Sequence, residues 1–187
     1  MKFLIVGLGN PSVKYENTRH NIGFKALDYV AKQSNAFFVS KRYGELGIFS
    51  FKGKSIYLLK PNTFMNLSGN AINYWLKKEN IPLSNLLVIT DDINLSFGSL
   101  RMKKKGSDGG HNGLKHIQET LMSSLYPRLR IGIGNQFSRG NQVNHVLGEF
   151  SNEEELVVNQ KLPIINDMVL SFSFAGIENT MNSYNNK

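Results

Sequence analysis

The sequence predicts an α/β fold: a single-domain sandwich with a mixed, mostly parallel twisted sheet flanked by helices. Three observations lead there. Short buried apolar runs, Phe3-Leu4-Ile5-Val6 and "LLVIT" at 86–90, alternate with longer segments whose apolar residues recur at helical spacing. Residues 44–51 and 54–60 are β-rich and separated only by Lys52-Gly53, the spacing of an antiparallel hairpin. The 187 residues suffice for one sizeable core, and no linker, repeat or low-complexity tract divides them, so 1–187 reads as one domain.

Taken in order, residues 2–6 form a buried strand that runs into Gly7-Leu8-Gly9. That junction invites a dinucleotide reading. The fingerprint G-x-G-x-x-G, however, needs a glycine at position 12, where Ser12 stands, and Pro11 disfavours helical geometry at Asn10. A cofactor-binding oxidoreductase would also need an acid at the end of the second strand, and Asp28 falls inside the first predicted helix. No cofactor is expected.

Residues 21–34 read as that helix, with Phe24, Leu27, Val30 and Ala31 on one face. The hairpin follows, then a helix over 67–79 with Leu67, Ala71, Ile72, Trp75 and Leu76 inward. The strand 86–90 ends at Asp91-Asp92. Residues 98–105 alternate as a half-buried strand, with Arg101, Lys103 and Lys105 on one face. A helix over 113–124 carries Leu114, Ile117 and Leu121, and a strand over 127–134 puts Arg128 and Arg130 on one face. Ser151-Asn152-Glu153-Glu154 has the pattern of a capping box, and Pro163 is expected to break or start a helix. Ile165, Met168, Val169 and Phe172 continue the apolar stripe beyond it, and the polar end "NSYNNK" is expected to fray.

Composition narrows the function. Hydrophobic residues make up 41% and no apolar run approaches the ~18 residues of a membrane span, so no membrane is expected. The apolar part of the N-terminus is too short for a signal peptide, and the chain has no cysteine, which fits a cytoplasmic protein. Net charge is +8 and uneven: residues 1–148 hold 20 Lys and Arg against 8 Asp and Glu, whereas 149–187 hold 2 against 6. A solvated basic face and a polyanionic partner such as nucleic acid are both open on charge alone. Arginine-bearing strands flanking a glycine-rich turn favour the nucleic acid.

In α/β folds the site lies beyond the carboxyl ends of the strands, so the loops after residues 6 and 90 should face one crevice. They bring Asn10 and His20 together with Asp91 and Asp92. A carboxylate beside an imidazole fixes its tautomer and raises its basicity, the minimum for a general base acting on water. The plainer reading is that His20 caps the next helix. "KPNTFMNLSG" at 60–69 puts Phe64 and Asn66 before a helix that Asn66 could instead cap. "KKKGSDGGHNGLKH" at 103–116 is a glycine-rich turn presenting His111 and Asn112, whose glycines serve either a tight turn or a close ligand. There is no G-x-S-x-G, P-loop or H-E-x-x-H, and His111 and His116 are five apart, off one helix face. With no cysteine and four scattered histidines, no metal is expected. What remains is a base, its orienter and several amides.

Five ordered stretches, "VGLGNPSVKYENTRHNIGF", "KPNTFMNLSG", "DDINLSFGSLRMKKKGSDGGHNGLK", "RLRIGIG" and "VLGEFS", resemble the bacterial-type peptidyl-tRNA hydrolase family across essentially the whole chain. The resemblance implies a monomeric enzyme on an α/β fold with a mixed twisted sheet. It implies hydrolysis of the ester between a peptide and the 3′ end of tRNA, with the acceptor stem and 3′ end as the bound partner. It implies that His20 activates water, Asp91 orients it, and Asn10 lies near the ester. It implies that Asn66 and Asn112 bind substrate, that Tyr15 and Phe64 line the crevice, and that Lys103 and Arg130 contact tRNA. Ser12, Asp92 and Asp108 depart from the family pattern, where Gly, Glu and a small residue are usual. Asp108 is expected to weaken phosphate binding slightly. A non-catalytic RNA-binding protein on the same fold is the alternative; it would have no need of His20 with Asp91.

Overall fold

A computed structural model describes residues 1–185. Seven strands form one sheet: β1 (Lys2–Gly7), β2 (Val39–Lys41), β3 (Gly44–Phe51), β4 (Lys54–Pro61), β5 (Leu86–Asp92), β6 (Leu100–Lys103) and β7 (Arg128–Gly132), in the order β2-β3-β4-β1-β5-β7-β6. The four central strands are mutually parallel, and the three outer pairings are antiparallel. The sheet is therefore mixed, as expected, with a parallel centre and antiparallel edges. Lys52 and Gly53, both with positive φ, make the two-residue turn that forces β3 and β4 antiparallel. Short β2 and β6 then close the two edges antiparallel as well.

The sheet is covered on both faces. Alternate residues of β1 serve the two sides: Phe3 and Ile5 pack with α1 (Ile22–Gln33) and α5 (Asn152–Ala175), and Leu4 and Val6 pack with α2 (Ser68–Glu79) and α3 (Asn112–Leu121). Strands with both faces buried read as continuous apolar runs, which is why β1 and β5 stand out in the sequence. A short α4 (Gln142–Val146) lies outside these layers, against the turn that precedes α1. Among the described residues no helix is long and apolar enough to cross a membrane.

Two details towards the C-terminus differ from expectation. The capping box at Ser151 and Glu154 forms, but α5 runs on through Pro163 without a break. Val158 and Leu162 before the proline, and Ile165, Met168, Val169 and Phe172 after it, are all buried, so packing on both sides outweighs the lost N–H. The polar tail does not fray as a whole: α6 (Ile177–Tyr184) is helical, and Asn185 binds both backbone groups of Met102 on the edge strand β6, at 2.8 and 2.9 Å. A paired edge is protected from adding a foreign strand. Asn186 and Lys187 of that expected tail lie outside the described residues.

The close approach of α1 to β1 explains the opening glycines. A Cβ on Gly7 would lie 2.2 Å from the carbonyl oxygen of Gly23, and one on Gly23 would lie 2.5 Å from the backbone of Leu8. The glycine that lets helix meet strand is thus Gly23, eleven residues beyond the place a dinucleotide fingerprint would put it. This contact sets the turn carrying His20 directly above the strand ends.

Candidate active site

β1 and β5 are parallel neighbours, with Val6 opposite Val88 and Gly7 opposite Ile89, so the loops after them do open on one edge. β5 continues to Asp91 and Asp92, while the chain after β1 returns through a 3-10 turn, Arg19–Asn21, that buries His20 and Asn21. His20 is not a cap of α1: no side chain bonds the first turn of that helix, and the position before it is Asn21.

Asp91 is buried and is shared by two histidines. Nδ1 of His20 lies 2.9 and 3.0 Å from its two oxygens, and Nε2 of His111 lies 3.0 Å from Oδ1. His111 caps α3: its Nδ1 accepts the N–H groups of Gly113 and Leu114 at 3.1 and 3.3 Å. Its proton therefore sits on Nε2, which donates towards Asp91 and the Thr90 hydroxyl, 2.8 Å away. The two imidazole rings lie 4.8 Å apart.

Burial is the largest influence on Asp91 and opposes its charge, but the two histidines and their hydrogen bonds outweigh it and hold the carboxyl below the usual range. Burial likewise pulls His20 down most strongly, and the charge and hydrogen bond of Asp91 together turn the net shift upward. Asp91 thus takes the Nδ1 proton of His20 as its hydrogen-bond donor and leaves Nε2 as the basic atom. His20 and Asp91 line a cleft whose other walls include Asn112, Arg130 and residues of α4.

Asn10 is set with equal care. Its backbone N–H donates to Asn21 Oδ1 at 2.8 Å, and its carbonyl accepts from Asn21 Nδ2 at 3.0 Å. Its own Oδ1 accepts the N–H of Met65 at 2.8 Å. That bond fixes which way the amide is turned, and its N–H groups make no hydrogen bond among the described residues.

The other expected site residues divide. Asn112 is exposed and lines the cleft. Asn66 does not cap α2; Leu67 holds that position, and Asn66 is exposed on the preceding turn. Tyr15 and Phe64 stand partly or fully exposed on the turns flanking Asn10 and are not among the residues lining the His20 cleft. Lys103 is exposed on β6 and makes no ion pair among the described residues. Arg130 forms an ion pair with Asp92 at the cleft wall.

The expected row of cations on β7 is incomplete. Arg128 is 1% exposed: it bonds the carbonyls of Ser107 and Ser124 at 2.9 and 3.3 Å and lies over the Tyr126 ring. It anchors the glycine-rich turn instead of facing solvent. Asp108 has a local task in the same turn, accepting the N–H of Gly110 at 2.8 Å. Gly109 and Gly110 both have positive φ, as a tight turn requires.

The sequence presents His111 in its glycine-rich turn without giving it a place in the site, and Asn21 only as the start of a helix. Both signals were present: a histidine just before a helix start in a glycine turn, and an asparagine beside His20. α4 was not expected at all. It is held by Arg19, which bonds the His145 carbonyl at 3.3 Å and Glu154 at 2.7 Å, and by His145 Nε2, 3.1 Å from the carbonyls of Ile133 and Gly134.

His20, Asp91 and His111 form a group whose donor atoms, within 4.8 Å of one another, could hold a metal ion. Each donor is already engaged by direct hydrogen bonds of 2.9–3.0 Å, so an ion would have to displace both shared protons. The donor set suits proton handling better than metal binding.

A family model described as peptidyl-tRNA hydrolase matches residues 4–187. Curated relatives named peptidyl-tRNA hydrolase include one from Phocaeicola vulgatus, 55% identical over 187 residues, and one from Bacteroides fragilis, 54% identical over 187 residues; each alignment covers all of both chains. The crystal structure of peptidyl-tRNA hydrolase from Acinetobacter baumannii superposes with a TM-score of 0.92 at 32% identity, covering 98% of this chain and 94% of that one.

Proposed function

The chain belongs to the peptidyl-tRNA hydrolase family, and we propose that His20, Asp91 and Asn10 carry its reaction. The activity is hydrolysis of peptidyl-tRNA, an ester hydrolysis. In our reading the bond cut joins a peptide, or an N-blocked amino acid, to the 3′ end of tRNA, and the cut recycles tRNA from prematurely released peptidyl-tRNA. His20 Nε2 takes a proton from water as the oxygen attacks the ester carbonyl. Asp91 holds Nδ1–H and stabilises the imidazolium that forms. The tetrahedral intermediate then expels the ribose oxygen, which recovers the proton from His20. General-base action supplies about 10²–10⁴-fold and one oxyanion donor about 10²–10³-fold.

The observation that carries this reading is the buried Asp91 bonded to His20 Nδ1 at 2.9 Å, since only that arrangement leaves Nε2 bare. Asn10, Asn66 and Asn112 supply substrate-binding amides around it, with Tyr15 and Phe64 at the flank. Lys103 and Arg130 meet the acceptor end of tRNA. The family resemblance supports a monomer, and the substrate, met where translation takes place, supports a cytoplasmic setting. An RNA-binding protein without activity is not favoured, because it would gain nothing from a buried His–Asp pair.

The test is single-turnover cleavage of N-acetyl-aminoacyl-tRNA beside unblocked aminoacyl-tRNA, with EDTA present. Release of tRNA from the blocked substrate alone, abolished in His20→Ala with tRNA affinity retained, is the expected result. Binding without cleavage, or an active His20→Ala enzyme, would overturn it.

A further inference from the structure

The two exposed amides assigned to the substrate stand at the starts of two different helices. Asn66 lies on the turn Met65–Leu67 just before α2, and Asn112 is the first residue of α3. Their separation depends on how those helices meet. Leu114 and Ile117 of α3 share one apolar cluster with Ala71, Ile72 and Trp75 of α2. Apolar burial holds the helices together, but it is non-directional and does not by itself fix their register.

A single hydrogen bond supplies the direction. Nδ1 of His116, in the middle of α3, accepts the backbone N–H of Gly69 at 3.0 Å. Among the described residues no other hydrogen bond joins α2 to α3. Gly69 is buried in the first turn of α2, where backbone N–H groups have no partner within the helix. No side chain caps that turn from its own end, where Leu67 precedes the helix. His116 therefore caps α2 from the neighbouring helix. The fit is close: a Cβ on Gly69 would lie 2.5 Å from Thr120 Oγ1 and 2.8 Å from His116 Nδ1. Glycine at 69 is what lets the ring reach the backbone.

The turn that carries Asn66 is held at its other side by Met65. The Met65 N–H donates to Asn10 Oδ1 and its carbonyl accepts from Ser68 Oγ, each at 2.8 Å. Its side chain lies against Gly113, where an added Cβ would come within 2.6 Å of the sulfur. Gly113 directly follows Asn112, so a slip of α2 along α3 would shift Asn66 relative to Asn112. His116 itself lies just past the stretch ending "HNGLK" that carries part of the family resemblance. We propose that His116 is a positioning residue for substrate binding: its bond to Gly69 sets the spacing of Asn66 and Asn112, and with it their grip on the substrate. The proposal rests on the substrate-binding reading of those two amides.

The experiment measures KM and kcat for N-acetyl-aminoacyl-tRNA. Leucine fills the space of the ring but accepts no N–H, so His116→Leu should raise KM about threefold to tenfold, the size of one hydrogen bond's net contribution. Its kcat should stay within about twofold, because α3 remains anchored to Asp91 through His111. Asparagine can place Oδ1 where Nδ1 stands, so His116→Asn should bring KM back to within about twofold of the wild type. In an Asn66→Ala enzyme the amide to be positioned is gone, and adding His116→Leu should change KM little further. A purely stabilising role predicts instead a lower Tm for His116→Leu with KM unmoved. Unchanged KM in folded His116→Leu, no rescue by asparagine, or full additivity with Asn66→Ala would overturn the proposal. Asn66→Ala with the wild-type KM would overturn the substrate-binding reading and the proposal with it, whereas cleavage by the wild-type enzyme tests the hydrolase reading separately.

Discussion

Replacing Asp91 by asparagine should cost the enzyme about 10³–10⁴-fold in single-turnover rate, and the reason is a count of donors. The carboxylate accepts from His20 Nδ1 and from His111 Nε2. An amide of the same shape offers one acceptor oxygen and one NH₂ donor. His111 cannot change its role, because its Nδ1 is taken by the N–H groups of Gly113 and Leu114. The amide oxygen therefore stays with His111, and the NH₂ faces His20. Nδ1 must then accept, the proton moves to Nε2, and the basic atom is gone. A wrong tautomer in a His–Asp pair costs about 10⁴-fold, or about 5 kcal/mol at about 1.4 kcal/mol per decade. The lost attraction for the imidazolium has a similar size: about 4 kcal/mol for unit charges about 4 Å apart at an effective dielectric of about 20.

The pH profile gives the sign. His20 must be neutral to act, and in the wild type its folded pKa is raised above 6.5, so activity should climb with pH through a limb above that value. Without the Asp91 charge, burial acts alone and lowers the pKa, so the residual activity of Asp91→Asn should have its limb below 6.5. The assay is cleavage of N-acetyl-aminoacyl-tRNA under single-turnover conditions from pH 5 to 9. A variant within tenfold of the wild type, with an unmoved limb, would refute the tautomer argument.

Two further outcomes follow from the surface and from the first loop. Lys103→Ala should lower the slope of log affinity for tRNA against log salt by about one, whereas Arg130→Ala should change it less, because Asp92 already neutralises that guanidinium; equal slopes in filter-binding titrations would remove Lys103 from the phosphate contacts. Ser12 has φ 117°, where an L-residue is strained by about 1–3 kcal/mol, and glycine returns about 0.5–1 kcal/mol of that as chain entropy. Ser12→Gly should therefore raise Tm by about 2–4 °C in a thermal melt, and an unchanged or lower Tm would show that the loop is unstrained.

The centre of the fold was legible because its strands are apolar on both faces, and the crevice followed from their shared direction. The edges were not. Period-two alternation correctly placed Arg128 and Arg130 on one face of β7, but not the turn at 106–108 that folds over the Arg128 end and buries it. Pro163 is a breaker by local rule, and only the packing of both halves of α5 shows why it is overruled. Asn185 is a polar residue near the chain end, and nothing local announces that it completes the edge of β6. The site divides in the same way. The pairing of His20 with Asp91 could be found by asking which loops share an edge, while Asn10, from the same loop, lines a neighbouring cavity rather than the His20 cleft. The places of His111 and Asn21 depend on side-chain partners across the fold, Asp91 for one and the Asn10 backbone for the other.

On the proposed placing of Asn10 beside the ester, those partners would bear on selectivity as well as on catalysis. Free aminoacyl-tRNA carries an ammonium where a blocked substrate carries an amide. Asn21 clamps both backbone groups of Asn10, and the N–H of Met65 holds its side-chain oxygen in place, so the other side of the amide presents N–H donors. A donor opposite an ammonium is an unpaired, repelled group; opposite an acyl carbonyl it makes a hydrogen bond. A buried polar group left without a partner costs about 1–3 kcal/mol, enough for roughly tenfold to hundredfold discrimination. Selectivity of this kind needs no charge at the ester, and it depends on Asn10 being unable to turn its oxygen outward. The clamp by Asn21 and Met65 is what denies it that rotation.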